Sequence, residues 1–416
     1  MNKNWIYQTN IYEVNVRQYT QEGTIEAFSK HLPRLLEMGV QTLWFMPLTP
    51  ISAIERKGSM GSYYACSDYQ AISPEFGTAE AFRELVEKAH QMGFRIIIDW
   101  VANHTGWDHT WTKTHPEWYK KEESGRFKRA SGMDDIIELD YNRSDMRSAM
   151  IEAMKFWVDQ FDIDGFRCDL AFWVELNFWK QAKAALDQVK PLFWLAEADA
   201  LEHASYLEVF DAAYSWKWMH QTADYYQDKI QLSELVSLLD QYKSGRGLKA
   251  WFTSNHDENS WNGTEYEKYE IIAKALMAFS CTWPGIPLIY SGQELPLLKR
   301  LKFFDKDPIE WTDTPHLHHF YKTLLQLQAT HPALNARVGV EMISNSSFDK
   351  VISYIRKHEN REVLMIINFS RQHLHVDLYA DYLQGEFINV FTQEIFNLSS
   401  QKQFQIEPGG FWALVK

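Results

Sequence analysis

Four short segments place ionisable side chains directly at the ends of apolar runs. They are DWVANH (residues 99–104), GFRCD (residues 165–169), LAEAD (residues 195–199) and SNHDEN (residues 254–259). Burying an ionisable group is costly unless it is paired, so these positions favour a chemical role over a solvated surface. Carboxyl groups placed in this way serve as nucleophiles and as general acids or bases.

The segment GFRCD contains an arginine and an aspartate two residues apart. Residues two apart on a strand share a face, so Arg167 and Asp169 point the same way while Cys168 fills the opposite layer. A guanidinium beside Asp169 is expected to keep that carboxylate ionised at neutral pH. Taken alone, the segment also fits a purely structural Arg–Asp pair.

Two further carboxyls follow in the other segments. Glu197 ends an apolar run, where a buried carboxyl tends to keep its proton and can act as an acid. Asp257 is flanked by Asn255 and His256, which indicates a hydrogen-bonded cluster. Two carboxyls about 5–5.5 Å apart are the arrangement of retaining glycoside hydrolysis, and the pairing of Asp169 with Glu197 is a hypothesis of this kind.

These segments require elements that bring them together. Short apolar runs alternate with amphipathic stretches, and helices are predicted over residues 24–38, 79–92, 145–161 and 267–279. Strands are predicted over residues 11–16, 42–46, 95–100, 165–169, 192–197, 212–215, 250–254 and 286–290. Eight such units predict an α/β fold, a (β/α)8 TIM barrel, in which the carboxyl ends of the strands converge on one face. No G-x-G-x-x-G loop follows the first strand, which disfavours a doubly wound nucleotide-binding sheet.

The pattern divides the chain into three parts. Residues 1–104 and 141–334 are predicted to form the barrel. Residues 105–140 interrupt it after the third strand as a short insertion that contains the mixed-charge run KKEESGRFKR. Residues 335–416 contain β-rich segments separated by polar turns, which predicts a C-terminal antiparallel β-sandwich domain.

Composition excludes several classes of protein. The 416 residues carry 42 basic and 55 acidic side chains, a formal charge of −13, which disfavours nucleic acid and anionic membranes as partners. Aromatic residues make up 15%, which is compatible with carbohydrate binding. Three widely spaced cysteines and a start without an apolar export signal predict a reduced, cytoplasmic protein. The uncharged run over residues 275–293 is broken by glycine and proline and is not predicted to span a membrane.

The four segments, in this order, resemble the signature segments of the α-amylase superfamily, glycoside hydrolase family thirteen. Three more segments resemble it as well: GVQTLWFMPLTPI (residues 39–51), YYACSDYQAISPEFGT (residues 63–78) and GIPLIYSGQE (residues 285–294). The resemblance runs from about residue 10 to residue 295. The insertion and the C-terminal β domain are similar in placement to the family's domain B and C-terminal domain.

The resemblance implies a role for each carboxyl. Asp169 is implied to be the nucleophile, Glu197 the general acid and base, and Asp257 the carboxylate that binds ring hydroxyls and stabilises the transition state. The implied reaction is retaining cleavage of α-1,4-glucosidic bonds in starch, glycogen or maltooligosaccharides.

The resemblance also implies a set of substrate-binding residues. His104 and His256 are implied to bond hydroxyls of the sugar whose linkage breaks, and Tyr64 to stack on its face. Arg167 is implied to position Asp169, and Asp99 to hold the arginine and the neighbouring strand ends.

Two departures from the family pattern bear on cofactors and specificity. The A-x-K-H continuation that follows the nucleophile in many members is replaced here by LAFW, and Asn103 alone does not define a calcium site. No cofactor is therefore expected. The segment IIELDYN lacks the Q-P-D-L-N string of α-glucosidases and oligo-1,6-glucosidases, which favours α-1,4 cleavage.

Three alternatives remain open at this point. Attack by a sugar hydroxyl on the same intermediate would make the protein a glucanotransferase or a sugar isomerase. A non-catalytic binding relative is the remote alternative, although such forms lose the carboxyls that this chain keeps.

Four tryptophans in loops after strand ends are either sugar platforms or core residues: Trp107, Trp111, Trp118 and Trp261.

Overall fold

Residues 3–416 are described by the structure, a computed structural model. Eight parallel strands form a closed barrel in which each strand pairs with its neighbours in chain order and the last pairs with the first. The strands are β1 (Ile11–Val14), β2 (Thr42–Phe45), β3 (Arg95–Trp100), β4 (Gly165–Cys168), β5 (Phe193–Asp199), β6 (Ala212–Tyr214), β7 (Leu248–Trp251) and β8 (Ile286–Tyr290). The predicted TIM barrel is confirmed.

Most of the helices cover the outside of the barrel. They are α1 (Val16–Tyr19), α2 (Ile25–Ser29), α3 (Leu32–Met38), α4 (Ala79–Gln91), α5 (Thr110–Thr114), α6 (Ser144–Phe161), α7 (Leu176–Leu186), α8 (Trp216–Tyr226), α9 (Leu232–Ser244), α10 (Glu265–Tyr269), α11 (Ala273–Thr282) and α12 (His318–Thr330). Helix α4 shows how the sequence builds them: the Thr78 side chain accepts from the Ala81 N–H at the start, and one apolar face with Phe82 and Leu85 is buried. None of the helices in residues 3–416 is long and apolar enough to cross a membrane.

Two predicted helices are broken in the structure. The helix predicted over residues 24–38 is two helices, α2 and α3, because Pro33 lies in the first turn of α3 and cannot continue a preceding helix. The helix predicted over residues 267–279 is also divided. Thr264 and Glu267 form a capping box that starts α10 earlier, and Glu270, with φ 41°, ends it before α11.

Residues 105–140, which we call the excursion, leave the barrel after β3. His104–Thr105 pairs antiparallel with Ile137–Glu138, so the excursion returns next to its starting point. Ala130 and Ile136 of the excursion pack with Ala65 from the loop after β2. The excursion therefore lies against the same face of the barrel as the strand ends.

The C-terminal part is antiparallel β structure. Its strands are β9 (Glu341–Met342), β10 (Val351–His358), β11 (Arg361–Asn368), β12 (Leu374–Asp377), β13 (Glu386–Asn389), β14 (Ile395–Asn397), β15 (Gln403–Ile406) and β16 (Phe411–Val415). Six of them form one sheet in the order β9-β10-β11-β16-β13-β14, and β12 pairs with β15 in a second sheet that shares its core. The antiparallel C-terminal domain is confirmed.

A buried arginine fixes this domain to the barrel. Arg356 on β10 is 1% exposed and donates to the carbonyl oxygens of Thr282, Leu334, Asn335 and Val338 at 2.7–3.4 Å. Those four carbonyls belong to the end of α11 and to the segment after α12. The Arg356 side chain thus attaches the C-terminal domain to the last segments of the barrel.

Candidate active site

The ionisable residues of the four segments meet at the carboxyl ends of the barrel strands. Asp99 on β3 is directly opposite Arg167 on β4, and Glu197 lies on β5, the next strand. Asp169 directly follows β4, and its N–H donates to the Trp100 carbonyl oxygen at 3.0 Å. The strand register itself therefore brings these side chains together.

Arg167 is the centre of the cluster and is completely buried. Its Nη1 donates to Asp99 Oδ1 at 2.9 Å and to Asp169 Oδ1 at 3.2 Å. Its Nη2 lies 2.8 Å from Glu197 Oε2, as an ion pair rather than a well-directed hydrogen bond. Three carboxyls thus share a single guanidinium.

The cluster contains three carboxyl groups and a single guanidinium. Burial and then the Glu197 carboxyl raise the pKa of Asp169 well above its usual value, and Arg167 acts in the opposite direction without cancelling the rise. Burial also raises the pKa of Asp99 to about 6, again against the effect of Arg167. The sequence led us to expect that Arg167 keeps Asp169 ionised; in the structure, burial and the Glu197 carboxyl act against the guanidinium and raise the pKa of Asp169.

Leu170, the residue after Asp169, connects Asp169 to Glu197 through a backbone hydrogen bond. The Leu170 N–H donates to Glu197 Oε2 at 2.7 Å, and Leu170 adopts φ 38° and ψ 50°, a left-handed conformation that is uncommon for leucine. Asp169 Oδ2 is buried and has no hydrogen-bond partner within residues 3–416. One oxygen of Asp169 is therefore held by Arg167, and the other makes no hydrogen bond within residues 3–416.

His256 connects Asp257 to the buried part of the cluster. Its Nδ1–H donates to Glu13 Oε1 at 2.5 Å, its Nε2–H donates to the Tyr64 hydroxyl at 2.6 Å, and Nε2 lies 3.4 Å from Asp257 Oδ2. Burial alone would lower the pKa of His256, but Asp257 and Glu13 outweigh it and raise the pKa to about 9. His256 is therefore a cation at neutral pH and holds Asp257 and Tyr64 in place.

His104 has the opposite protonation state. Burial lowers its pKa to about 4, so the ring is neutral at pH 7. Its Nδ1 faces the Asn103 amide at 3.3 Å, and its Nε2 has no protein partner in the part of the chain that the structure describes. That nitrogen is available to a ligand hydroxyl.

A cavity of about 390 Å³ opens above the cluster. It is lined by Lys57, Ser62, Tyr64, His104, Met133, Asp135, Ile136, Asp169, Leu170, Glu197, Asp257, Trp261, Phe303 and Phe304. The volume lies within the range of roughly 300–1,000 Å³ that is usual for small-ligand sites. All three carboxyls proposed from the sequence, with Tyr64 and His104, line this one cavity.

His256, which the resemblance implies to bond a sugar hydroxyl, is not among the residues that line the cavity, and neither are Arg167 and Asp99, which are expected to have supporting roles. Asp99 accepts from Arg167, Trp44 and Tyr64, and Arg167 and His256 are occupied by protein partners. We call Asp99, Arg167, His256 and Glu13 the floor. Most of their polar atoms contact other protein groups, so these residues position the lining side chains.

The tryptophans left open by the sequence fall into two groups. Trp261 is 52% exposed and lines the cavity. Trp111 and Trp118 pack on each other within the excursion, and the Trp107 indole donates to the Asp134 carbonyl oxygen. Only Trp261 among these four is placed to meet a ligand in the cavity.

Several lining and floor residues are not identified by sequence reasoning. Glu13 carries a signal that points to it, a charged side chain inside the apolar strand β1. Phe303 and Phe304 are adjacent aromatics in the loop after β8, whereas Lys57 and Asp135 lie in loops with no periodicity. Their proximity to the carboxyls arises only from tertiary folding.

Two features of the molecule bear on calcium binding. Asn103, the position that the resemblance associates with calcium, contacts the His104 ring. Across residues 3–416, no group of three or more His, Cys, Asp or Glu side chains is arranged to hold an ion.

Comparison with protein families gives two matches. Residues 5–124 and 114–306 match the family described as "Alpha amylase, catalytic domain". Residues 340–412 match "Maltogenic Amylase, C-terminal domain".

Curated proteins and solved structures give consistent similarities. The chain is 24% identical over 405 residues to α-amylase 2 of Dictyoglomus thermophilum, covering 90% of this chain and 68% of that protein. It is 25% identical over 390 residues to an intracellular maltogenic amylase of Bacillus subtilis, covering 86% and 63%. The crystal structure of a maltogenic α-amylase from Thermotoga neapolitana superposes with a TM-score of 0.89 and 29% identity, covering 100% and 99% of the two chains. The chain thus spans roughly two thirds of these curated relatives but nearly the whole of that solved structure.

Proposed function

The chain belongs to the α-amylase family of glycoside hydrolases, and from that premise we propose that it is a retaining glycosidase acting on α-1,4-glucosidic bonds of starch, glycogen or maltooligosaccharides. One observation carries the proposal: Asp169, Glu197 and Asp257 line a single cavity, and Arg167 contacts the first two. Relatives named α-amylase, cyclomaltodextrinase and maltogenic amylase support the substrate class.

The first step is proposed to form a bond to Asp169. Asp169 Oδ2, which has no protein partner within residues 3–416, attacks the anomeric carbon while the bond from that carbon to the bridging oxygen breaks. Glu197 gives its proton to the departing oxygen. Both protein contacts of Glu197 use Oε2, so Oε1 is the oxygen that reaches the leaving group.

The second step is proposed to release the sugar. Glu197, now a carboxylate, takes a proton from a water molecule, and the oxygen of that water attacks the anomeric carbon as the bond to Asp169 breaks. Two inversions give an α product. Glu197 thereby regains the proton that it gave up in the first step.

The remaining lining residues are proposed to bind the sugar. Tyr64 offers its ring face, the neutral His104 offers Nε2, and Asp257 offers a carboxylate held by the His256 cation. Bonds that tighten as positive charge develops on the sugar lower the barrier selectively.

The product profile of maltoheptaose over time tests this function. We expect shorter maltooligosaccharides to accumulate, with the α anomer released first, as followed by chromatography and proton NMR. Release of the β anomer would exclude the two-step route, and products longer than maltoheptaose would indicate sugar transfer in place of hydrolysis.

We also infer a cytoplasmic location. The three cysteines are free and buried, and a relative is named an intracellular maltogenic amylase, both of which support this inference. Cell fractionation with an antibody against the chain tests it, and recovery outside the cell would contradict it.

A further inference from the structure

One side of the cavity is built from aromatic side chains of three loops. The Tyr64 ring stacks on Phe303 with centroids 6.2 Å apart and an angle of 18° between the planes. Phe303 contacts Phe304 at 5.1 Å, and Trp261 packs on these two rings at 5.3 and 5.7 Å. We call Trp261, Phe303 and Phe304 the aromatic wall.

An ion pair extends the aromatic wall to the excursion. Lys57 Nζ lies 5.8 Å from the centroid of the Phe304 ring and 2.7 Å from Asp135 Oδ1. Asp135 is only 4% exposed, and a buried carboxylate needs such a counter-charge. Both side chains line the cavity, and we call this pair the Lys57–Asp135 bridge.

Backbone contacts hold the loops of the wall together. The buried Arg17 donates to the Phe303 carbonyl oxygen at 3.2 Å, and the Met60 N–H donates to the Phe304 carbonyl oxygen at 2.9 Å. At Gly58, with φ +59°, an added Cβ would lie 2.6 Å from the Phe304 Cβ. The loop that carries Lys57 therefore abuts the aromatic wall with no space between them.

In the proposed reaction, the aromatic wall lies beside the sugar that stays bound to the enzyme. The aromatic wall contacts Tyr64 directly, whereas Glu197 contacts Leu170 and Arg167. In the proposed reaction, the sugar on Asp169 stacks on Tyr64, and the leaving chain departs past Glu197. The wall and the bridge therefore face the non-reducing end of the substrate.

We propose that the Lys57–Asp135 bridge closes this end of the cavity and makes the enzyme select the free non-reducing ends of short α-glucan chains. The inference rests on the proposed function and adds its specificity. The ammonium and carboxylate of the bridge are placed to bond the 4-hydroxyl and 6-hydroxyl of a terminal sugar. An internal sugar of an α-1,4 chain has no free 4-hydroxyl, and an end blocked at both positions has neither group free.

Maltoheptaosides with and without a 4,6-O-ethylidene block at the non-reducing end test the proposal. The full-length protein is incubated with each substrate, and chromatography of the products gives the initial rates. We expect kcat/KM of wild type for the blocked substrate to be lower than that for the unblocked substrate by roughly tenfold or more. A site that bonds hydroxyls discriminates against substrates without them. In the double variant K57M/D135N, which removes both charges and leaves no unpaired buried carboxylate, the two values should agree within about threefold.

Matched variants separate specificity from damage. R129M/D134N removes the neighbouring ion pair of the excursion, whose atoms lie 3.3 Å apart outside the cavity lining, and should keep the wild-type ratio. D135N alone retains Lys57 and should move the ratio in the same direction as the double variant. The proposal is overturned if wild type cleaves both substrates equally, if K57M/D135N keeps the wild-type ratio, or if R129M/D134N changes it as much. Cleavage of neither substrate by wild type would instead contradict the proposed function.

Discussion

The floor and the aromatic wall meet at Tyr64 but are built differently. The floor pairs residues of adjacent strands, such as Asp99 and Arg167, whose positions follow from the hydrogen-bonded register of the barrel. The aromatic wall joins loops after β7 and β8, and its position depends on contacts between irregular segments. The comparison suggests that the barrel determines which bond chemistry is possible, while the loops determine which substrate reaches it.

The largest expected effect comes from the carboxyls held above the floor. Asp169→Asn or Glu197→Gln should lower kcat/KM on maltoheptaose by about 10³-fold or more, because the nucleophile or the proton donor is lost. Circular dichroism should remain that of wild type. Asp187→Asn, at the exposed residue directly after α7, is the control and should keep full activity. Activity of either site variant within tenfold of wild type would contradict the assignment.

Removing the charge at the centre of the floor should reduce stability more than any change in the wall. Arg167→Met leaves Asp99, Asp169 and Glu197 without their shared cation, and losing one partner of a buried pair costs about 3–5 kcal/mol. Urea unfolding measures this free energy. Lys57→Met, at the more exposed bridge, should cost less, and equal losses would show that the floor is not the more tightly coupled region.

The floor should also give stability a dependence on pH. The pKa of His256 is raised from 6.5 to about 9, so its stabilising contribution is complete below pH 6.5 and is lost as pH rises through about 9. A rise of this size corresponds to something on the order of 3 kcal/mol in a fully buried group. Urea midpoints measured from pH 6 to pH 10 should fall for wild type and change much less for His256→Gln. Parallel curves for the two proteins would rule out this role of His256.

The smallest expected effect belongs to the aromatic wall. Phe303→Ala removes the ring that supports Tyr64, and aromatic pairs contribute about 0.5–1.5 kcal/mol. We therefore expect KM for maltoheptaose to rise by roughly tenfold at most, with kcat nearly unchanged. Phe303→Tyr keeps the ring and should keep KM. A loss in kcat comparable to that of Asp169→Asn would remove the distinction between floor and wall.

The same contrast explains what the sequence could predict. Apolar runs ended by charged residues identify the barrel and the three carboxyls, because strand ends in a parallel barrel converge whatever the loops do. Lys57 and Asp135 belong to separate loops, and nothing in their local sequence specifies that they meet. The break at Pro33 has a local cause that the sequence contains, whereas the turn at Glu270 has none that we can identify.

Some sequence predictions are not tested by the geometry. The domain boundaries after residues 104, 140 and 334 stay proposals, as do the catalytic roles themselves. The raised pKa of Asp169 could not be predicted from the segment GFRCD. It depends on Glu197 and on burial, both of which come from other parts of the fold.

The contacts of Arg356 affect how this enzyme tolerates truncation and domain exchange. A chain cut before β10 would strip four carbonyl oxygens of their donor and uncover the apolar surface around Thr282 and Leu334. We expect such a truncated barrel to be insoluble when expressed. A chimera that takes both the barrel and the C-terminal domain from one parent should be soluble. The β domain is in this sense a seal on the barrel and not an interchangeable module.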